Sequence, residues 1–422
     1  MRNKIILALL LMAFGLNVIA QSVTTTRDEQ KRLAHHNPEM VSCVYRAYPG
    51  PNSTDYNQPP KGYKPVFISH YGRHGSRFLT EDERYTWLIK EMEAHKLTDN
   101  GKELLERVRI AWKQAEGRGG DLTTLGEEQH KQIAERMFMN YTTLFKGAPV
   151  MKVFSSTSRR CMMSMMAFCE QLKELNPRLN IERDVCEKNM RFISYASDEQ
   201  KKLCKEVGDE TTKAYNAFKA KTARTTGFME RIFVNSKEIK DAYYFMEQMY
   251  FLAQDMQDCG QPTEMLSFFT TDELYSVWQI KNVEMYLRHA DAPMSRGIPA
   301  QCADSLMNHF IVDADSALAE GRMGATLRFG HDTVLLKLLA IMRIKECCPS
   351  TNDMDNLSLV WQDFNNSPMA GNLQLVFYQN NDGNTLVRFL LNENEVHLDL
   401  QAVHEVYYDW EEVKKYWKNE KK

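Results

Sequence analysis

Residues 69–79 read SHYGRHGSRFL and follow directly on the apolar run Val66-Phe67-Ile68. A short apolar run of this kind reads as a buried strand, and the cluster Arg73-His74-Gly75-Ser76-Arg77 as a sharp turn at its carboxyl end. The same design returns twice. Residues 150–154 lead into Ser155-Ser156-Thr157-Ser158-Arg159-Arg160 and then an apolar helical run through Phe168. Residues 325–329 lead into Gly330-His331-Asp332-Thr333 and then the apolar run 334–342. Strand, polar turn and helix, repeated in this way, predict an α/β fold with a mostly parallel sheet flanked by helices. In such sheets ligands bind beyond the carboxyl ends of the strands. Three charged turns far apart in sequence are therefore expected to converge on one crevice, where a helix N-terminus favours an anion.

The chain has 422 residues, 43% of them hydrophobic, enough for one large domain or two ordinary ones. Its net charge of −3 offers no basic surface of the kind nucleic acid requires, so an anion must be held by a local cluster. Between 171 and 299 the character changes. Charged, amphipathic helical patterns dominate over 198–207, 210–220, 237–251 and 271–288, and strands are scarce. This predicts a mostly helical cap, 171–299, inserted into an α/β core made of 21–170 and 300–422. Residues 21–64 are polar and turn-rich and read as an irregular lead-in. Near the end, 372–378 and 385–391 flank Asn380-Asn381-Asp382-Gly383, which predicts a hairpin.

At the N-terminus Arg2 and Lys4 precede an apolar stretch over 5–20. That pattern predicts a secretory signal peptide over 1–20, cleaved after Ala20, and an exported protein, periplasmic or secreted, with no membrane attachment after cleavage. A membrane anchor is the competing reading, but the run falls short of the ~20 residues a span needs. Nine cysteines suit an oxidising compartment, and their odd number leaves at least one unpaired. Structural thiols and disulfides are the expected uses, with the pairing open. No Cys-x-x-Cys pair and no cysteine–histidine spacing of the zinc type occurs.

The chemistry of the opening turn suits a phosphoryl group. Guanidinium forks bind phosphate oxygens bidentately. Gly75 lets the backbone approach closely, and a neutral imidazole is a competent nucleophile toward phosphorus. Arg73-His74-Gly75-Ser76-Arg77, the late pair His331-Asp332 and an arginine opening a helix between them together resemble the histidine phosphatase superfamily, in its acid-phosphatase and phytase branch. Leu79 stands where that family usually has proline. Val334 stands where some phytases have asparagine, and Asp332 where inositol-polyphosphate phosphatases often carry His-Ala-Glu. Of the two middle arginines, Arg160 matches the family's register through Cys161, Ser164 and Ala167, and Arg159 does not. The segment Leu122-Thr123-Thr124-Leu125-Gly126 is similar to a family segment, but its own residues read as a cap and turn before a helix.

The resemblance implies a two-step transfer without metal or cofactor. His74 would attack phosphorus, Arg73, Arg77, Arg160 and His331 would clamp the phosphate oxygens, and Asp332 would protonate the leaving alkoxide and then activate water. The implied partner is a small phosphate ester, with inositol polyphosphates foremost. Arg183, Lys188, Arg191, Lys281 and Arg288 are candidate contacts to further phosphates, although each alone reads as a surface charge. The competing functions are a general or sugar-phosphate acid phosphatase, a phosphoglycerate-mutase-like phosphotransferase, and a non-catalytic phosphoanion-binding protein. His70 reads as a polar residue at a strand end, and His289 and Asp291 as loop residues near the cleft. The 24 methionines read as core packing.

Overall fold

β1 (Lys64–Arg73) runs through the apolar stretch that precedes the opening turn, and a mixed sheet is built around it. The computed structural model describes residues 26–53, 55–194 and 197–420. The signal peptide expected over 1–20 lies outside the described residues. The other strands are β2 (Val150–Ser155), β3 (Asn180–Asp184), β4 (Gly324–Gly330), β5 (Asn372–Gln379), β6 (Thr385–Leu391), β7 (Asn394–Val396) and β8 (Tyr408–Asp409). Their order is β3-β2-β4-β1-β5-β6-β7, with β8 beside β6. β3, β2, β4 and β1 are parallel to one another, and β5 to β8 continue the sheet antiparallel. The three strands that precede charged turns are thus adjacent, in the order β2-β4-β1, and point the same way.

The longer helices are α1 (Arg27–His36), α2 (Asp82–Glu93), α3 (Asp99–Ala115), α4 (Thr124–Asn140), α5 (Arg159–Leu175), α6 (Asp198–Thr222), α7 (Thr226–Ile232), α8 (Ala242–Asp255), α9 (Thr271–His289), α10 (Asp304–Ala319), α11 (Asp332–Ile341) and α12 (Trp410–Glu420). Alternation along the strands buries both faces of the sheet. Phe67 and Tyr71 of β1 pack with residues of α10, α11 and α12. Ile68 packs on the other face with residues of α4 and α5. A third core joins α2 and α3 to α7, α8 and the first half of α9.

Several elements differ from the sequence reading. The patterns over 198–207 and 210–220 run as one helix, α6, through Gly208; a single glycine costs about 1 kcal/mol there, too little to break a long helix. β3 lies within the stretch expected to be cap, nine residues past position 171, and pairs with β2. It is a polar, largely exposed edge strand, so no apolar run marks it. The helical layer also draws α2 and α3 from the stretch expected to be sheet core. The lead-in is not irregular throughout. α1 forms over 27–36 with Thr26 as its N-cap, where the Thr26 hydroxyl accepts from the Glu29 N–H (3.3 Å). The hairpin forms as expected, with Gly383 at φ +83° in its turn.

Candidate active site

The three turns meet beyond the carboxyl ends of β1, β2 and β4. The His74 N–H donates to the Gly330 carbonyl at the end of β4 (3.0 Å), and the His74 carbonyl accepts from the Ala370 N–H (2.9 Å). Gly75 then presses against Gly126. A Cβ on Gly75 would stand 2.4 Å from the Gly126 carbonyl oxygen, and one on Gly126 would stand 2.2 Å from that of Ser76. Neither position admits a side chain without moving backbone. The 122–126 segment therefore does more than cap α4. Thr123 accepts from the Gly126 N–H (3.2 Å) in the capping role read from the sequence, while its own N–H donates to the Ser76 carbonyl (2.9 Å) and holds the opening loop in place.

His74 is 2% exposed. Its Nδ1 lies 2.9 Å from the Gly75 carbonyl. A carbonyl only accepts, so Nδ1 carries the proton and Nε2 keeps its lone pair. Burial, followed by the charges of Arg73, Arg160 and Arg77, pushes the imidazole pKa well below its ordinary value. The result is a neutral imidazole among guanidinium groups.

Arg73 donates from Nη1 to the carbonyls of Val44 and Ser367, the latter at 2.8 Å. Its Nη2 lies 3.2 Å from Asp332 Oδ2. Arg77 donates to the Phe78 carbonyl (3.0 Å), stacks 4.7 Å over the Tyr45 ring and faces Asp255 at 3.5 Å. Arg160 is the second residue of α5, half-buried, and burial lowers its pKa with a further push from Arg77. Arg159, next to it, is 69% exposed and pairs with Asp121 at 3.1 Å. The Nε atoms of Arg73, Arg77 and Arg160 are all buried without a hydrogen-bond partner among the described residues. Buried N–H groups are rarely left so, and an oxyanion is the acceptor that such a set of forks fits.

His331 caps the N-terminus of α11. Its N–H donates to the Tyr71 hydroxyl (3.1 Å), its Nε2 lies 3.2 Å from Ser156 Oγ, and its ring centre is 5.8 Å from that of His74. Burial and the Arg160 charge lower its pKa to about 4. Asp332 opens α11, and its Oδ1 accepts from the Thr333 N–H (2.7 Å). Burial pushes its carboxyl up, but Arg73, His331 and that N–H outweigh burial and hold it below the ordinary range. With no ligand bound, Asp332 is a carboxylate paired with Arg73.

Several contributors carry no motif. Asp255 ends α8, and Asp258 follows in the next turn; both are fully buried. Asp258 accepts from Ser76 Oγ (2.6 Å), and its carbonyl accepts from the Thr123 hydroxyl (2.7 Å). Gln129 accepts from the Ser76 N–H (2.9 Å), and Ser164 from the Gly75 N–H (3.1 Å). Val44 and Tyr45, in the lead-in, reach Arg73 and Arg77. Asp255 and Asp258 are two of three acids in the stretch 242–259, beside Glu247, and no local pattern singles them out.

Other candidates fall elsewhere. His70 is not a strand-end residue. It is buried in β1 against Phe168 and Phe329, where burial, followed by His130 and Arg328, holds its pKa at about 3. His289 is the last residue of α9, and Asp291 pairs with Arg343. Lys281 and Arg288 are both engaged by Glu284. Arg183 and Lys188 are exposed on the surface. Arg191 lies 4.5 Å over the Phe192 ring and, with Lys337, lines a cavity beside Val334. Among the described residues, no group of three or more His, Cys, Asp or Glu side chains is placed to hold a metal ion. No helix among them is long and apolar enough to cross a membrane.

The family model of the histidine phosphatase superfamily, branch 2, matches residues 72–392. The chain belongs to that family. Its fold is similar to that of a multiple inositol polyphosphate phosphatase of Bifidobacterium longum solved with phosphate, at a TM-score of 0.78 and 16% identity, covering 91% of this chain and 98% of the other. It is also similar to a phytase of D. castellii (TM-score 0.63, 14% identity, 95% and 88% covered). A phytase of Citrobacter braakii matches at a TM-score of 0.57 and 14% identity, covering 85% and 98%. No curated protein sequence matches the chain.

Proposed function

We propose that this protein is an exported histidine acid phosphatase that hydrolyses phosphomonoesters through a phosphohistidine on His74, with inositol polyphosphates as its substrates. The observation that carries the reading is the state of His74: a neutral, Nδ1-protonated imidazole with a free Nε2, beside three arginines that each retain a buried N–H without an acceptor among the described residues.

His74 Nε2 attacks phosphorus while Arg73, Arg77, Arg160 and His331 take the phosphoryl oxygens and the charge developing on them. The ester oxygen leaves with a proton from Asp332. Against burial, Arg73 is the foremost of the groups that hold Asp332 ionised, ahead of His331 and the Thr333 N–H. A phosphoryl dianion entering the site takes over Arg73 and brings negative charge beside the carboxyl, and both changes raise its pKa. The proton is therefore acquired together with the substrate. In the second step the Asp332 carboxylate draws a proton from water, which attacks the phosphohistidine and releases phosphate. The inositol-polyphosphate assignment draws on the B. longum and phytase relatives and on the two cations, Arg191 and Lys337, that line the cavity with Val334, two residues past Asp332. Export draws on the N-terminal pattern of the sequence.

Single-turnover alkaline quench with phosphate-labelled ester tests the mechanism. Wild type is expected to carry acid-labile phosphate on the peptide containing His74, and folded His74→Ala to carry none and turn over at least about 10³-fold more slowly. Near wild-type turnover by folded His74→Ala sinks the mechanism. Steady-state kinetics with chelator present then compare inositol hexakisphosphate with sugar phosphates and nitrophenyl phosphate. A kcat/KM for inositol hexakisphosphate well below the others leaves a general acid phosphatase.

A further inference from the structure

Cys204 and Cys302 are 98 positions apart in the chain, yet their sulfurs lie 3.2 Å from one another. Both are free thiols and half-buried, within reach of solvent. Cys204 stands on the second turn of α6. Cys302 ends the short helical turn Ile298–Gln301 that leads into α10. Their meeting is part of a register. One turn earlier on the same face of α6, Gln200 Nε2 donates to the Gln301 carbonyl (2.5 Å), so adjacent residues 301 and 302 meet positions i and i+4 of one helix. Other cysteines meet different partners: Cys43 the Tyr250 hydroxyl, Cys161 the Gly330 carbonyl and Cys259 the Asp255 carboxyl.

We propose that Cys204 and Cys302 form a disulfide that ties α6 to the turn before α10. The oxidant is a disulfide, either a small molecule such as oxidised glutathione or a thiol–disulfide oxidoreductase. One protein thiolate attacks a sulfur of the oxidant, forms a mixed disulfide and releases the first thiolate. The second protein thiolate attacks the protein-side sulfur, closes the Cys204–Cys302 bond and releases the other. Two electrons pass from the protein thiols to the oxidant, and their two protons balance the released thiolates.

The cross-link closes the stretch that holds most of α6 and all of α7, α8 and α9. That stretch includes the turn that places Asp255 and Asp258 under the opening loop. Cys302 also lines the cavity shared by Arg191, Val334 and Lys337, and the last two lie on α11, the helix that Asp332 opens. The bond therefore fixes one wall of a cavity whose opposite side is the helix that Asp332 opens. It also removes the freedom of a long loop from the unfolded chain, the regime in which a disulfide stabilises most.

The test uses the full-length protein equilibrated in a glutathione redox buffer, then alkylated and mapped by mass spectrometry. The expected result is one linked peptide pair containing Cys204 and Cys302, released by a reducing phosphine. Oxidised protein should melt roughly 3–8 °C above reduced protein, and this difference should vanish in Cys204→Ser and Cys302→Ser. Alkylation of both cysteines in the oxidised protein, linkage of either to a different cysteine, or equal melting in both redox states overturns the proposal. The mapping needs no variant and no activity, so its outcome is independent of the phosphatase reading.

Discussion

Arg328, in the middle of β4, and the arginines of the turns that follow β1 and β2 are one residue type, yet they are held in opposite ways. Arg328 is fully buried and saturated. Its Nε lies 3.0 Å from His309 Nδ1, its Nη1 donates to Ser69 Oγ (2.9 Å), and its Nη2 lies 3.3 Å from Asp313. Arg73, Arg77 and Arg160 each keep an Nε without a partner among the described residues. A guanidinium whose donors are all taken fastens neighbouring elements. One with donors to spare is held in place by some contacts and leaves the rest for a ligand. Arg322 and Arg388, away from the three turns, also keep a buried Nε without a partner among the described residues, so what sets Arg73, Arg77 and Arg160 apart is that their spare donors are gathered around His74.

Substitutions at the two kinds of arginine should therefore diverge. The largest effect is expected at Arg160. Arg160→Ala should lower kcat/KM by about 10²–10³-fold, the range for losing one preorganised donor to developing charge, and should weaken inhibition by inorganic phosphate. Arg159→Ala, which loses only an exposed pair, should stay within about twofold. The reverse ranking would break the comparison at its first step. Arg328→Met should behave in the opposite sense. It removes one of two arginine partners from half-buried Asp313, which keeps Arg322 at 3.1 Å, and should cost about 2 kcal/mol of stability in a denaturant titration, while kcat/KM of the folded fraction stays within about threefold.

A smaller effect sharpens the comparison at Arg77, which is neither saturated nor free. Asp255→Asn should raise KM and weaken phosphate inhibition by about tenfold with kcat little changed, because the buried carboxyl that orients the guanidinium is lost. In an Arg77→Ala background the same substitution should have almost no further effect. A full tenfold loss in that background would mean that Asp255 acts on the fold rather than on Arg77.

The smallest effect is a pH dependence of stability. Burial, foremost, pushes His70, His74, His130, His289, His309 and His331 below the ordinary histidine pKa. The unfolded chain binds more protons at these sites, so their contribution is complete above about pH 6.5 and is lost as the pH falls. Glu247, Asp255, Asp258 and Asp363 are pushed up, again foremost by burial, and act with the opposite sign: their contribution is complete below about pH 4 and is lost as the pH rises. Six groups outnumber four. The melting temperature should fall between pH 6.5 and 4.5, at about 1.4 kcal/mol per net proton per pH unit. A melting temperature that rises over this window would show the carboxyls dominating.

What the sequence by itself determined is local. The strands ending at Arg73, Ser155 and Gly330 are short apolar runs, and each is followed by a polar turn and a helix. Such a unit is legible because neighbours in sequence remain neighbours in space. Their convergence is expected from the parallel design, but the order β2-β4-β1, with the last of the three in the middle, belongs to the tertiary structure. The hairpin of β5 and β6 is equally local, since its turn residues lie between its strands. The tertiary structure alone decided the rest. Val44 and Tyr45 reach Arg73 and Arg77 from a lead-in that carries no pattern. Asp255 and Asp258 come from a helix end about 180 residues away from Ser76, and Gly126 is needed because the Ser76 backbone packs against it. β3 stays invisible because an edge strand facing water has no apolar face to declare. A contact between residues distant in the chain leaves no periodicity and no spacing in either partner. It exists only once the surfaces have packed, and the packing of the helical layer against the opening loop is what turns a basic turn into a candidate phosphate site.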